Sequence, residues 1–350
     1  MDNTASPISA LPNELLLQIF GFAGGDGSVC INSTRARIGR VCKSWRAVSR
    51  SSPSLWTYIN ITVHDPCFPQ PNRPPTVTKS FLEPALILSY PCALTIVVDV
   101  NTDCRQDVEQ GLFDTVDMLG RHSIRWRNFS FTGPDYVMER LDHCVAQHPF
   151  QSPELESLTL RCNDGLPGHA FTTALPNIMV SRLRNLSINF ELRRLVVQWD
   201  ALTSFTGGFH TPSSFYALVS QTANLEFLYL THIGHERDSR SVEPISLDNL
   251  RHLKIADCAI VEALENIRFP HLGELSLVDS QPCWTKSADG FVTHVKLRCS
   301  ERPDTLEILL RCLRISSPPL RALNFRTHSP RCASNLLEGC AILCRHSSMH

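Results

Sequence analysis

Apolar residues at the start of the chain recur with helical spacing. The segment LPNELLLQIFGFA runs from Leu11 to Ala23, and Pro12 and Glu14 suit the first turn of a helix. Apolar side chains then follow at steps of one, three and four residues, at Leu15, Leu16, Ile19 and Phe20. Glycines at positions 24, 25 and 27 end the pattern. The segment therefore predicts an amphipathic helix.

A second helical pattern follows the glycines. Apolar residues recur at three- and four-residue steps at Ile38, Val41, Trp45 and Val48, with basic residues between them at Arg35, Arg37, Lys43 and Arg46. Pro53 stops the pattern, and Leu55 and Trp56 come directly after it. A helical unit of about 45 residues buries little surface by itself, so these apolar residues predict a partner or a neighbouring domain.

Beyond a Pro-rich stretch, a six-residue pattern of apolar and polar positions repeats. Clear copies are LESLTL from Leu155, LRNLSI from Leu183, LEFLYL from Leu225, LRHLKI from Leu250, LGELSL from Leu272 and LRALNF from Leu320. Weaker copies are WRNFSF from Trp126, LTSFTG from Leu202 and VTHVKL from Val292. Successive copies start 29, 28, 19, 23, 25, 22, 20 and 28 residues apart. This period is typical of leucine-rich repeats, although few copies carry the Asn or Cys usual after the strand.

The hexad predicts one short parallel strand per repeat. Its fourth and sixth residues point into a core, and its third, fifth and seventh residues share the opposite face. That parity places Ala256 outside, together with a candidate recognition surface that has an aromatic end and a basic end: Phe227, Tyr229, His252, Lys254, His294, Lys296, Arg298 and Arg326. Glu274 interrupts the basic end. The alternative is an ordinary solvated strand face, since charged residues there also provide solubility.

Composition narrows the range of partners and locations. Basic and acidic residues balance, 33 against 34, so no global attraction to nucleic acid or to a membrane is expected. The 14 cysteines lie singly without a CxxC pair, and no window approaches the ~20 apolar residues that span a bilayer. We expect no secretory signal at the N-terminus. A reducing compartment, the cytoplasm or the nucleus, fits these features.

Motifs for catalysis or metal binding are weak. The glycine-rich run from Gly24 to Gly27 lacks the preceding strand and the Gly-Lys-Ser/Thr ending of a phosphate loop. Cys332, Cys340, Cys344 and His346 match no established zinc spacing. Neither a Gly-x-Ser-x-Gly elbow nor a His-Glu-x-x-His helix is present. We expect no enzymatic activity, no metal and no cofactor.

The two N-terminal helical patterns together resemble a known family. LPNELLLQIF from Leu11, VCKSWR from Val41 and SPSLW from Ser52 are similar to the three parts of the F-box motif, in particular to fungal F-box-like domains followed by degenerate leucine-rich repeats. The resemblance is close from about Ser9 to Tyr58. It implies a helical module that docks the Skp adaptor of a cullin-RING ubiquitin ligase. The positions matching the docking surface, or the packing beneath it, are Leu11, Pro12, Leu15, Ile19, Val41, Cys42, Trp45, Leu55 and Trp56.

These observations combine into one expected architecture of class α/β. A small N-terminal helical F-box-like module precedes a leucine-rich-repeat-like solenoid with a short parallel strand per repeat. The expected divisions are a flexible tail over 1–8, the F-box-like domain over 9–58, a Pro-rich connection over 59–90 and a substrate-binding repeat domain over 91–350. The expected function is substrate recognition for an SCF-type ubiquitin ligase, with an unknown protein substrate that is acidic or phosphorylated. The alternative is a non-degradative protein-interaction scaffold.

Overall fold

The computed structural model of the protein divides the chain into two compact units. The first unit contains the helices and strands up to Cys162, and the second contains those from Asn185 onward. The described residues are 11–23, 37–64, 79–101, 109–147, 154–163, 181–189, 199–209, 211–234, 244–256, 260, 263–278, 283–286, 292–295, 309, 311–313, 315–316 and 322–326. The expected tail over residues 1–8, the glycine-rich run and the C-terminal Cys/His cluster lie outside them.

Three short helices open the first unit. They are α1 over Asn13–Ala23, α2 over residues 37–41 and α3 over Lys43–Arg50. A 3₁₀ turn over Pro53–Trp56 follows α3, with proline at its first position, where the missing N–H costs no hydrogen bond. The first predicted helix is therefore present as α1, whereas the second predicted helix is divided at Cys42 into α2 and α3.

Four parallel strands in chain order lie in the first unit. The strands are β1 over Tyr58–His64, β2 over Leu94–Asn101, β3 over Trp126–Gly133 and β4 over Ser157–Cys162. β2 pairs with β1 and β3, and β3 pairs with β4. Helices connect them: α4 over Lys79–Leu88, α5 over Glu109–Arg121 and α6 over Asp135–Gln147.

The sheet begins earlier than the expected start of the repeat domain at residue 91. Strand β1 occupies the end of the F-box-like segment and the first part of the supposed Pro-rich connection, and α4 occupies its second part. Alternating burial explains the strand, because Ile59, Ile61 and Val63 all face the core. Only residues 65–78 of that connection lie outside the described part of the chain.

Helices α5 and α6 pack closely against each other. The rings of Phe113 and Tyr136 meet edge to face with centroids 6.2 Å apart. A Cβ added at Gly120 would lie 3.2 Å from the Cβ of Cys144, which is closer than most real Cβ contacts. The absence of a side chain at this glycine therefore lets the two helices approach.

The second unit contains six more parallel strands in chain order. They are β5 over Asn185–Ile188, β6 over Ser204–Phe209, β7 over Phe227–Ile233, β9 over His252–Ile255, β11 over Glu274–Val278 and β14 over Ala322–Arg326. Successive members of this series pair in parallel. Helix α7 over Pro212–Val219 lies between β6 and β7 in the chain, and β8 over Ile245–Ser246 pairs with β10 over Ile267–Arg268.

The hexad parity agrees with the observed burial. First, fourth and sixth residues are buried in the copies from Leu155, Leu183, Leu225 and Leu250. In the copy from Leu272, the sixth residue, Leu277, is only half-buried.

The second residues of successive copies are joined by equivalent backbone hydrogen bonds. The amide of Thr203 donates to Arg184 O at 2.9 Å, Glu226 to Thr203 O at 2.8 Å, Arg251 to Glu226 O at 2.9 Å and Gly273 to Arg251 O at 2.9 Å. Because each hydrogen bond joins the same position of neighbouring copies, the copies occupy equivalent places along the sheet.

The copy VTHVKL does not follow this pattern, and its assignment as a repeat strand is wrong. Strand β13, over Val292–Val295, pairs antiparallel with β12, over Cys283–Lys286, in a separate two-stranded sheet. Strand β11 pairs directly with β14, so no strand lies between them. The sequence between β12 and β13 contains Asp-Gly, a dipeptide typical of hairpin turns. A nearby hairpin partner therefore accounts for the difference.

Candidate functional site

Helix α1 carries two apolar stripes that face different surroundings. Leu16 and Phe20 are only 3% and 1% exposed and lie in a small helical core. Leu15, Ile19 and Phe22 are 45%, 43% and 83% exposed. The exposed three are spaced i, i+4 and i+7, so they share one side of the helix. We call these three residues the outer stripe.

The inner stripe of α1, formed by Leu16 and Phe20, lies in the core of the helical module. Leu16, Phe20, Ile38 and Val48 form one buried cluster, with Leu11, Leu17, Trp45 and Leu55 packed against it. The ring centroids of Phe20 and Trp45 are 5.0 Å apart and tilted by 59°. Because this cluster holds α1, α2 and α3 together, the outer stripe of α1 is not needed for packing within the module.

Cys42 and Trp56 fix the two ends of α3. The Cys42 sulfur accepts a hydrogen bond from the Trp45 amide at 3.4 Å, and so caps the helix N-terminus. The buried indole of Trp56 donates through Nε1 to Ser49 O at 2.8 Å. The neighbouring Thr57 carbonyl accepts from the Thr95 amide of β2 at 2.9 Å, which joins the module to the first sheet.

The structure separates the predicted docking residues into three groups. Those exposed to solvent are Pro12, Leu15, Ile19, Val41 and Cys42; those half-buried are Leu11, Trp45 and Leu55; and Trp56 is buried. The first group can contact a partner directly, whereas the others position the helices. Phe22 was missed by the sequence analysis, although its spacing of seven residues from Leu15 could have placed it in the outer stripe.

The predicted recognition surface of the second unit is partly assembled on β7, β9 and β11. Phe227 lies beside His252, with ring centroids 6.3 Å apart, and His252 Nδ1 is 3.1 Å from Glu274 Oε2. Two residues further along these strands, Lys254 Nζ lies 4.3 Å from the centroid of the Tyr229 ring. These contacts join directly paired residues of neighbouring strands, so they form two rows across one face.

The basic end of the predicted surface is not continuous. His294 lies in β13, in a different sheet from Lys254, and Arg326 lies in β14. Lys296 and Arg298 lie outside the described residues. Ala256 is buried and not on the exposed face, because β9 ends at Ile255 and strand alternation no longer applies beyond it.

A cavity in the first unit has no counterpart in the sequence analysis. It measures about 330 Å³ and is lined by Glu83, Leu86, Ile87, Asp114, Asp117, Met118, Arg121 and His122. Asp117 accepts two hydrogen bonds from the Arg140 guanidinium and one from the Cys144 thiol. The bonds from Arg140 lower the pKa of the Asp117 carboxyl against the opposing effect of burial, and burial lowers the pKa of His122. This carboxylate is therefore already engaged within the protein.

Two further results concern metals and membranes. Among the described residues, no group of three or more His, Cys, Asp or Glu side chains could hold a metal ion. Within the same ranges, no helix is both long and apolar enough to cross a bilayer.

Comparison with known families gives a match over the helical module. The model of the F-box-like family matches residues 8–62, which include α1 to α3, the 3₁₀ turn and most of β1. No curated protein matches the chain. The N-terminal region is thus F-box-like, and an F-box-like domain suggests an adaptor role in an SCF-type ubiquitin ligase.

Proposed function

We propose that the chain is the substrate-recognition subunit of an SCF-type cullin-RING ubiquitin ligase. In this proposal the F-box-like helices dock a Skp-type adaptor, and the sheet of the second unit holds a target protein. The chain breaks no bond itself, because ubiquitin transfer is supplied by other subunits. Its place of action is the cytoplasm or the nucleus.

The outer stripe is the observation that carries the proposal. Large apolar side chains at Leu15, Ile19 and Phe22 remain exposed although a complete core lies on the other side of the same helix. A stripe at i, i+4 and i+7 is the pattern with which a helix enters an apolar groove of a partner. The family match covers this helix, which makes a Skp-type adaptor the partner that fits.

We also propose that the second unit is a degenerate leucine-rich-repeat solenoid of the kind found behind fungal F-box-like domains. Equivalent backbone hydrogen bonds between successive hexads and the chain-order pairing of the strands support this reading. Each repeat of a solenoid contacts only its neighbours and presents one face for binding.

The face with Tyr229, Lys254 and His252 is the proposed substrate site. Among the described residues no carboxylate lies within ion-pair distance of Lys254, whereas His252 has Glu274 beside it. An ammonium group held over an aromatic ring favours an acidic or phosphorylated segment. This is the substrate class that we propose.

Adaptor binding by two matched double variants tests the docking assignment. Leu15→Ala with Ile19→Ala removes apolar contacts from the outer stripe and should weaken adaptor binding by about 2–4 kcal/mol, measured by calorimetry. Ile87→Ala with Ile124→Ala is the control, because these side chains are equally apolar, 66% and 60% exposed, and outside the F-box-like region. Circular dichroism verifies that both variants fold.

Two outcomes would contradict the proposal. If the full chain fails to bind a Skp-type adaptor, the non-degradative scaffold is the better reading. If the adaptor binds with equal affinity to the wild type and both double variants, docking does not use the outer stripe.

A further inference from the structure

The solvent side of α2 and α3 is strongly cationic. Five basic residues are exposed there: Arg37, Arg40, Lys43, Arg46 and Arg50. Residues 37–64 contain no Asp or Glu, although the whole chain has a net charge of only −1. The positive charge is therefore a local feature of the helical module and not a consequence of overall composition.

These charges are not neutralised within the described part of the protein. Arg46 donates through Nε to the Gly39 carbonyl at 2.7 Å, and no ion pair among the described residues involves Arg37, Arg40 or Lys43. Spacings of three and four residues bring like charges together on a helix surface, which is destabilising. The charged face thus opposes folding slightly instead of supporting it.

Lys43 is also unfavourable for the stability of α3, because of its position at the start of that helix. It is the first residue of that helix, whose first turn has no acidic residue. The positive end of the helix dipole repels a cation at this position and attracts an anion. Helix stability therefore does not explain a lysine here.

The cations adjoin exposed apolar surface. Val41, which is 60% exposed, directly follows Arg40 and lies two residues before Lys43 in the chain. An apolar contact with charges at its margin is the usual anatomy of a protein interface, in which the charges guide encounter and orientation.

We propose that Arg40 and Lys43 form a cationic rim that steers the adaptor onto the helical module, and that the adaptor presents carboxylates beside its apolar groove. This inference rests on the proposed adaptor docking. It adds that the partner surface is negatively charged, and it gives Arg40 and Lys43 a role in the rate of association. The partner is an acidic protein surface.

The distribution of charge favours a protein over an anionic membrane. Helices that lie in a membrane interface combine basic residues and an apolar stripe on the same helix. Here the outer stripe lies on α1, where residues 11–23 include Glu14 and neither Lys nor Arg. The cations lie on α2 and α3, as expected for a partner that contacts several helices at once.

Association kinetics of the full chain with a purified Skp-type adaptor test the rim. Arg40→Glu with Lys43→Glu should lower the association rate constant about tenfold at about 50 mM salt and much less at about 500 mM, because salt screens exposed charges. The dissociation rate constant should change less than about twofold. Arg184→Glu with Arg268→Glu, two exposed arginines of the second unit, is the control with the same charge change.

The melting temperature distinguishes a role in association from a role in the stability of the module. Glutamate at position 43 complements the helix dipole, so the rim variant should melt no lower than the wild type while associating more slowly. If the charge reversal does lower the melting temperature, Arg40→Gln with Lys43→Gln replaces it, with an expected slowing of about threefold at low salt.

Four results would overturn the inference. Equal association rates for the rim and control variants would do so, as would slower association of the glutamine variant that is insensitive to salt. Loss of binding to vesicles of about 70% phosphatidylcholine and 30% phosphatidylserine in the rim variant, with unchanged adaptor kinetics, would assign the cations to a membrane. Failure of the wild-type chain to bind the adaptor would overturn the proposed function and this inference together.

Discussion

At the scale of single residues, Asp117 shows how one side chain joins two helices. The Arg140 guanidinium of α6 donates to both carboxylate oxygens of this α5 residue, and the Cys144 thiol donates to one of them. Burial and the neighbouring carboxylate raise the pKa of the Cys144 thiol to about 12, so it stays protonated at neutral pH. The cluster therefore holds one negative charge opposite one positive charge.

The lowered pKa of Asp117 predicts a loss of stability in acid. A carboxyl whose pKa is lower in the folded than in the unfolded protein stabilises the fold above its ordinary pKa of 3.8, and this contribution disappears as the pH falls through the folded value. Asp117→Asn should lower the free energy of unfolding at pH 7 and make it fall less steeply below about pH 4.

Urea denaturation between pH 3 and pH 7 measures this effect. Asp114→Asn is the matched control, because the Asp114 carboxylate accepts from Gln110 at 3.0 Å and none of the arginines in the described ranges is bonded to it. An acid dependence that is identical in the Asp117 variant and the wild type would show that this ion pair does not contribute to acid stability.

At the scale of elements, the sequence predicted the apolar residues of α1 but not the two sides they occupy. Leu15 and Leu16 are adjacent leucines with the same helix propensity, and only the packing of Phe20, Ile38 and Val48 decides that Leu16 is inside. A pattern of apolar positions records which side chains avoid water, whether in a core or in an interface. The proposed docking surface could be separated from the core only with the structure.

The strands also show what a sequence pattern does not predict. A strong hexad correctly predicted β4, β5, β7, β9, β11 and β14, because the alternation of buried and exposed residues is set locally. VTHVKL fits the same pattern, yet β13 pairs with β12. Which strands become neighbours depends on the competing partners available, and a six-residue pattern does not contain that information.

Leu253 tests whether the strands of the second unit stabilise one another. It is buried in β9 and is paired with Leu228 of β7 and Leu275 of β11. Leu253→Asp places a carboxylate without a partner in this core and should cost several kcal/mol, at least about 3, in the free energy of unfolding. In a row of repeats that bury their apolar edges only against neighbours, the unfolding transition should also become broader.

The adjacent position provides the control. Lys254→Asp changes the neighbouring residue on the opposite face of the same strand, and should alter stability by no more than about 1 kcal/mol. Calorimetry of the full chain compares the two variants. Equal melting temperatures for Leu253→Asp and the wild type would contradict the assigned register.

At the scale of the whole molecule, the chain combines two kinds of surface. The helical module presents exposed apolar side chains, which suit a fixed partner, and its family match covers residues 8–62. The second unit presents Phe227, Tyr229, His252 and Lys254 in two rows across paired strands. In the proposed ligase subunit these surfaces act on different proteins, so variants of one surface should leave binding at the other unchanged.

The last prediction concerns the chemistry of the captured protein. Lys254 Nζ lies 4.3 Å from the centroid of the Tyr229 ring, which holds the ammonium group on the exposed sheet face. A phosphate group carries nearly two negative charges and strong acceptor oxygens, so it should bind this ammonium better than an uncharged hydroxyl does. On an array of matched phosphoserine and serine peptides with acidic flanks, the full chain should retain the phosphorylated set preferentially.

Substitutions at Lys254 and Tyr229 test whether these two residues cause the preference for phosphopeptides. Lys254→Glu should abolish the preference for phosphopeptides, whereas Arg268→Glu, the same charge change at an exposed residue of β10, should preserve it. Tyr229→Phe keeps the ring beneath the ammonium and should bind like the wild type, while Tyr229→Ala should weaken binding about three- to tenfold, as expected for an exposed cation–π contact. Adaptor affinity should be the same in all four variants. A preference that survives Lys254→Glu, or that is insensitive to salt, would mean that the target protein is recognised elsewhere on the chain.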